Sequence, residues 1–394
     1  MKVAGIIAEY NPIHEGHRYH IDVTRKTLSA DAVVVAMSGS IMQRGIPAFF
    51  DKFSRTESAL KAGADLVLEL PAAVSAGSAE YFATGGVRIL NAAGITHLSF
   101  GSECGDTDKL TELADILATE STEFKSLLQY ELKAGTSYPL AVKKVLDITC
   151  PEKASLLDFP NNSLGVEYIK AIKKYAKDVT VFTVKRLGAG YNSEESASGE
   201  YPSSTSLRNT LVKTDAAFLT NNDFSDALFY AILEKADILR DFADISPELA
   251  NRILNLKNQY SDFDAFAEAL KTKQITRARI NRCLWHILGG ITAADAEAVK
   301  SPAFPEYVRV LGFRKNSPAQ EIIAGMTKSG TKVITRLGKD AAELSGPAKE
   351  AFEKDLRIYD IYRQIMLRKY KNTLDKKELD RITKPDYSGL VVLP

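Results

Sequence analysis

Val3-Ala4-Gly5-Ile6-Ile7-Ala8-Glu9-Tyr10-Asn11-Pro12-Ile13-His14-Glu15-Gly16-His17: six apolar or small residues, a turn, and two histidines three apart. The run Val3 to Ala8 has the length and composition of a buried strand, and Asn11-Pro12 ends it. A helical pattern follows through Tyr19, Val23 and Leu28. His14 and His17 therefore fall where a strand gives way to a helix N-terminus. Unpaired backbone N–H groups and the helix dipole favour an anion there. Gly16 lets a phosphate approach the backbone, and imidazoles at this spacing can both donate to it. The alternative is two unrelated surface histidines.

Strand and helix signals then alternate. Ala32–Met37, Asp65–Pro71, His97–Gly101 and Val179–Val184 are further apolar runs, with helical patterns at Phe53–Ala62 and Ala79–Ala93. This alternation predicts an α/β fold, a doubly wound parallel sheet of five strands with ligands at the carboxyl ends of the strands. Leu110–Ile148 reads as two or three helices, so an insertion is expected at about 106–150. After Leu207 strand signals largely stop: Val308–Phe313 is short and Val333-Ile334 shorter, while Phe224–Lys300 and Ala342–Leu379 read as helix. Residues 1–211 are expected to form the ligand-binding domain and 212–394 a mainly helical region. Ser193–Tyr201 reads as a polar loop.

The chain has 394 residues, 45% hydrophobic and 26% charged, with a net charge of +1, so no global field advertises a nucleic acid or a membrane. Cys104, Cys150 and Cys283 are too scattered for a disulfide framework or a metal site, which fits a reducing cytoplasm. Met1-Lys2-Val3 begins no signal-peptide apolar core, and no apolar run approaches the ~18 residues of a membrane span.

Other stretches carry chemistry. In Ser203-Ser204-Thr205-Ser206-Leu207-Arg208, Ser204 or Thr205 can cap a helix and Arg208 can reach β and γ phosphates bidentately; an ordinary serine-rich cap is the alternative. Gly101, ending the fourth strand, permits a nucleoside to pack on backbone, or is a turn glycine. Asn161 or Asn162 suits an N-cap, with Asn162 a candidate nucleotide contact. Lys185-Arg186-Leu187-Gly188-Ala189-Gly190-Tyr191 closes the fifth strand with cations and glycines, as a phosphate or ribose contact or a flexible surface loop. Arg44, Lys52 and Arg55 offer cations at one sheet edge, to seat a small carboxylate or phosphate, or as a solvated loop.

The strand, turn and His14-x-Gly16-His17 resemble the adenylyl-transfer superfamily of nucleotidylyltransferases and class I aminoacyl-tRNA synthetases. Together with Met37-Ser38-Gly39, Gln43-Arg44-Gly45, Asp51-Lys52, Phe100-Gly101-Ser102-Glu103, Pro160-Asn161-Asn162 and Ser203–Arg208, the stretch is similar to the bacterial tRNA(Met) cytidine acetate ligase family, densely up to about Leu211. The resemblance implies that ATP and acetate form acetyl-adenylate and pyrophosphate, and that the wobble cytidine of elongator tRNA(Met) then takes the acetyl group on N4. It implies catalytic roles for His14, His17 and Arg208. It places ATP along Ile7, Ala8, Glu9, Tyr10, Asn11, Pro12, Gly16, His20, Gly101, Asn162, Arg186, Leu187, Ser204 and Thr205. ATP is then a substrate, accompanied by Mg²⁺, with no resident metal or tightly bound cofactor. Two departures stand out: Phe53 where the family often has tryptophan, and Asn192 where a histidine is common.

A tRNA must be held outside an ATP cleft. Lys271, Lys273, Arg277, Arg279 and Arg282 lie close together with no acidic residue among them, and phosphates are the natural partner; a solvated helix face is the alternative. Arg368, Lys369 and Lys371 are a second candidate surface. Two other functions compete: a small-molecule nucleotidylyltransferase, which leaves the long helical region unexplained, and a non-catalytic RNA-binding protein, against which intact His14, His17 and Arg208 argue.

Overall fold

The computed structural model describes residues 1–186, 204–214, 216–383 and 389–394. Leu187, Gly188, Ala189, Gly190, Tyr191, Asn192, Ser203 and the Ser193–Tyr201 stretch lie outside the described residues.

Strands β1 (Val3–Ala8), β2 (Ala32–Ser38), β3 (Leu66–Leu70), β4 (His97–Ser102) and β5 (Thr180–Lys185) form where the apolar runs predicted them. They are mutually parallel in the order β5-β4-β1-β2-β3. β2 and β3 are buried along their whole length because both sheet faces are covered. Alternate side chains serve two cores. Ala4, Ile6, Val33, Val35 and Met37 pack with the helical second half of the chain, including Trp285 and Tyr359. Val3, Ile7, Ala32, Val34 and Ala36 pack with Phe82, Leu90 and the helices between β4 and β5. The expected insertion is three helices, Thr107–Thr119, Thr122–Lys133 and Tyr138–Thr149.

The sheet has eight strands rather than the expected five, and it is not wholly parallel. β6 (Tyr307–Arg314) runs antiparallel beside β3, while β7 (Lys332–Ile334) and β8 (Val391–Leu393) lie parallel to β6. β7 and β8 have three residues each, too few to show a period in sequence, and their pairing is wholly non-local. A buried charge sits at the β3–β6 seam: Arg309 is the register partner of Glu69 and reaches its carboxylate at 3.1 Å. The second half is otherwise mainly helical, as expected, built on Ser225–Glu234, Pro247–Leu256, Phe263–Leu270, Arg277–Gly289 and Gly346–Tyr370. Among the described residues no helix is long and apolar enough to cross a membrane.

After β3 the chain crosses to the far side of β1 to lay down β4, so β1 lies between β4 and β2. This reversal opens a crevice at the carboxyl ends of β1 and β4, the place where open α/β sheets bind ligands.

Candidate active site

The turn after β1 is held from several sides. Tyr10 adopts a left-handed backbone, φ 47°, which is costly for an aromatic residue and survives only where its surroundings hold it. Arg55, buried beneath, donates from Nη1 to the carbonyls of Glu9 at 2.8 Å and Ser38 at 2.9 Å, and from Nη2 to that of Gly39. It braces the ends of β1 and β2 instead of offering a cation to a ligand. The side chain of Asn11 accepts from Phe49 N at 2.6 Å.

His14 is the N-cap of the helix Glu15–Leu28, with extended backbone, and its Nδ1 accepts from Gly16 N at 3.1 Å. His17 Nδ1 accepts from His14 N at 3.3 Å, closing a reciprocal capping box. The rings stack with centroids 3.7 Å apart, and Tyr10 meets His17 edge-on at 5.0 Å. Because each Nδ1 accepts, the proton of each neutral ring is on Nε2. Neither Nε2 has a protein partner among the described residues. Burial, and then the charge of Arg186, lowers the pKa of His14 to about 4; burial, His14 and Arg186 take His17 well below its usual value. Both rings are therefore neutral donors at pH 7.

The helix Ser204–Leu211 docks on the same turn. Ser204 Oγ donates to Pro12 O at 3.3 Å, and Arg208 donates to Asn11 O at 2.6 Å and to Thr205 Oγ1 at 3.0 Å. From the other side Arg186 lies over Gly101, its Cγ 3.4 Å from where a β-carbon of that residue would stand. Two segments distant in sequence thus bring arginines to the histidine turn, Arg186 beside the rings and Arg208 at Asn11.

Several other expected contacts have their polar atoms occupied by protein. His20 Nε2 meets Ser99 Oγ at 2.9 Å, and Ser99 continues to Thr24 at 2.6 Å; burial and Arg186 lower the His20 pKa to about 4. Asn162 Oδ1 accepts from Glu103 N and Cys104 N at 3.0 and 3.1 Å, while Glu103 accepts from Asn162 N at 2.9 Å and from Asn161 Nδ2 at 2.6 Å. This reciprocal clasp ties the end of β4 to the helix Pro160–Tyr175, and only spatial proximity reveals Glu103 as its partner. Lys52 is buried, with Nζ 2.7 Å from Glu69 and 4.5 Å from the Tyr359 ring centroid. Arg44 is exposed on the loop beyond Gln43, whose N–H donates to Glu9 Oε1 at 2.6 Å. Ile7 belongs to the core. Phe53, at the position of the expected tryptophan, is buried edge-on to Tyr359 at 5.7 Å between centroids.

The basic cluster has acidic neighbours from outside its own stretch. Arg277 pairs with Asp264 at 2.7 Å and Glu268 at 3.0 Å, Lys271 with Glu268 at 3.2 Å, and Arg282 with Asp244 at 3.2 Å. Arg279 Nε lies 3.7 Å from Asp244. Lys273 is exposed. Gly45, at φ 67°, presses on this helix so closely that a β-carbon would stand 2.5 Å from Arg282 N, so only glycine fits. Among the described residues no group of three or more His, Cys, Asp or Glu could hold a metal ion.

Residues 1–378 match the HIGH Nucleotidyl Transferase family. Relatives named tRNA(Met) cytidine acetate ligase include those of Acetivibrio thermocellus, 35% identical over 92% of this chain and 94% of that one, and Clostridium perfringens, 33% identical over 92% and 95%. The chain belongs to the tRNA(Met) cytidine acetate ligase family. Two crystal structures of Thermotoga maritima TmcAL are 28% identical and aligned over the whole of both chains. The one bound with alpha-thio ATP gives a TM-score of 0.84 and the apo form 0.86.

Proposed function

We propose that this ligase uses ATP and acetate to form acetyl-adenylate and then acetylates N4 of the wobble cytidine of elongator tRNA(Met). The observation that carries this reading is the pair of neutral Nε2–H donors of His14 and His17 beside Arg208 at one turn. Acetate is already a nucleophile, so the first step needs placement and charge stabilisation rather than a base. A carboxylate oxygen bonds to the α-phosphorus, and the bond to pyrophosphate breaks. Charge grows on the phosphate oxygens, where neutral Nε2–H donors and Arg208 stabilise it. Mg²⁺ enters with ATP as part of the substrate. ATP lies in the crevice between β1 and β4, with Arg186 over Gly101 on its nucleoside side.

The relatives' name, tRNA(Met) cytidine acetate ligase, supports the choice of acetate and tRNA(Met). The family's structural relative bound with alpha-thio ATP supports the nucleotide. The tRNA is proposed to run across the exposed Lys271 and Lys273, with Arg277, Arg279 and Arg282 holding the face behind them. Acetate-dependent exchange of pyrophosphate into ATP tests the first step, and nucleoside analysis of tRNA(Met) incubated with acetate and ATP tests the second. Exchange that does not need acetate would exclude this reading.

A further inference from the structure

The second step of the proposed reaction needs a proton acceptor. The exocyclic amine of cytosine is a weak nucleophile whose lone pair is delocalised into the ring, and it must lose a proton as it becomes an amide. The histidines are unsuited to this task. Their Nδ1 atoms accept from the backbone and their Nε2 atoms already carry protons. His20 is engaged with Ser99.

Glu9 stands at the mouth of the same crevice, at the carboxyl end of β1 and next to the strained Tyr10. It is held at both ends. Its carbonyl takes Arg55 Nη1 at 2.8 Å, and its Oε1 takes Gln43 N–H at 2.6 Å. Oε2 has no hydrogen-bond partner among the described residues, nor is it sealed from solvent as a buried orphan. Charged and titratable groups face the carboxyl from each neighbouring element: Arg208 on the helix Ser204–Leu211, Arg44 on the Gln43 loop, Arg55 on the helix Lys52–Lys61, and Tyr168 on the helix Pro160–Tyr175. Burial raises its pKa, while the Gln43 N–H and the three arginines oppose that rise. Such a group is basic enough to take a proton and has one oxygen left to do so.

We infer that Glu9 accepts the proton of the cytidine amine during acetyl transfer, a role that rests on the proposed function. The N4 nitrogen bonds to the acetyl carbonyl carbon of acetyl-adenylate. The N4 proton passes to the free carboxylate oxygen of Glu9. The carbonyl carbon–oxygen bond to the phosphate breaks, its electron pair leaves with AMP, and Glu9 releases the proton to solvent. Each atom and charge is accounted for without a further reactant.

Glu9→Gln separates this role from a purely positional one, because the amide oxygen can still accept from Gln43 N–H but the side chain cannot take a proton. The wild-type protein and the variant are compared in acetate-dependent pyrophosphate exchange and in single-turnover transfer from pre-formed acetyl-adenylate to tRNA(Met). Transfer in the variant is expected to fall by about 10²-fold or more, the range a positioned base supplies, and by far more than exchange. Equal losses in the two steps, or transfer at the wild-type rate, would overturn the assignment. The pH profile gives a readout that needs no variant. Wild-type transfer should fall toward acid as Glu9 protonates, and a flat acid limb overturns the role even if Glu9→Gln does not fold. Wild-type exchange that depends on acetate stands for the proposed function separately, so loss of the Glu9 role leaves that reading intact.

Discussion

The stacked rings of His14 and His17, 3.7 Å between centroids, are held through their Nδ1 atoms by the first turn of the helix they begin. The hydrogen bonds that start the helix also set the tautomer of the two rings, so the helix cap and the direction of the two Nε2–H donors share the same contacts.

Replacing His17 with Ala removes one such donor. Acetate-dependent pyrophosphate exchange is expected to fall by about 10²–10³-fold, the usual loss for one transition-state donor. His14→Ala should add a stability loss of about 1 kcal/mol because it also removes the N-cap acceptor. Exchange assays paired with thermal melts check both.

Arg208→Ala should weaken ATP use far more than AMP binding if the guanidinium at the Asn11 turn meets, as proposed, phosphates that AMP lacks. Calorimetric titration with the two nucleotides decides it. Equal losses would mean that Arg208 matters only for docking its helix.

His14 and His20 have folded pKa values of about 4 against 6.5 in the unfolded chain. Between these values the unfolded state binds more protons, so stability falls as pH drops from 6.5 toward 4. His20→Gln should flatten that slope in denaturant titrations run across this range.

Asp355 has the opposite sign. Burial, then repulsion from Glu69, raises its pKa from 3.8 to about 7, although Ala72 N–H and Tyr307 Oη hold it at 2.7 and 2.9 Å. The folded state binds the extra proton, so this group costs stability as pH rises from about 4 to 7. Asp355→Asn should gain about 1–2 kcal/mol over the parent at pH 8 and much less at pH 5. Melting temperatures at the two pH values check the difference.

Lys271→Gln with Lys273→Gln should lower tRNA affinity and reduce the salt slope by roughly 0.7–0.9 for each lost phosphate contact, with exchange retained. Arg282→Ala should instead lower the melting temperature, because this buried arginine pairs with Asp244 behind the Gly45 loop. Filter binding across a salt series and a thermal melt separate the two effects.

Local periodicity carried the sequence a long way. β1 to β5 are apolar runs with both faces covered, and each formed where composition located it. His14 and His17 could be read as a helix start because capping is a matter of a few adjacent residues. Tertiary structure alone decided the partners. β6, β7 and β8 join the sheet through pairings more than two hundred residues from β3 or too short to carry a period. Lys52 looked like a cation for a ligand until Glu69 and Arg309, from distant strands, closed a buried ion network around it. Asn162 reads as a nucleotide contact in sequence, and only the fold shows that its side chain also ties the backbone of Glu103 and Cys104 to its own helix. Spacing records which residues are near along the chain. The charge or hydrogen bond that occupies a polar group is set by packing between segments far apart in sequence, and that is where Glu9 acquires its three arginines.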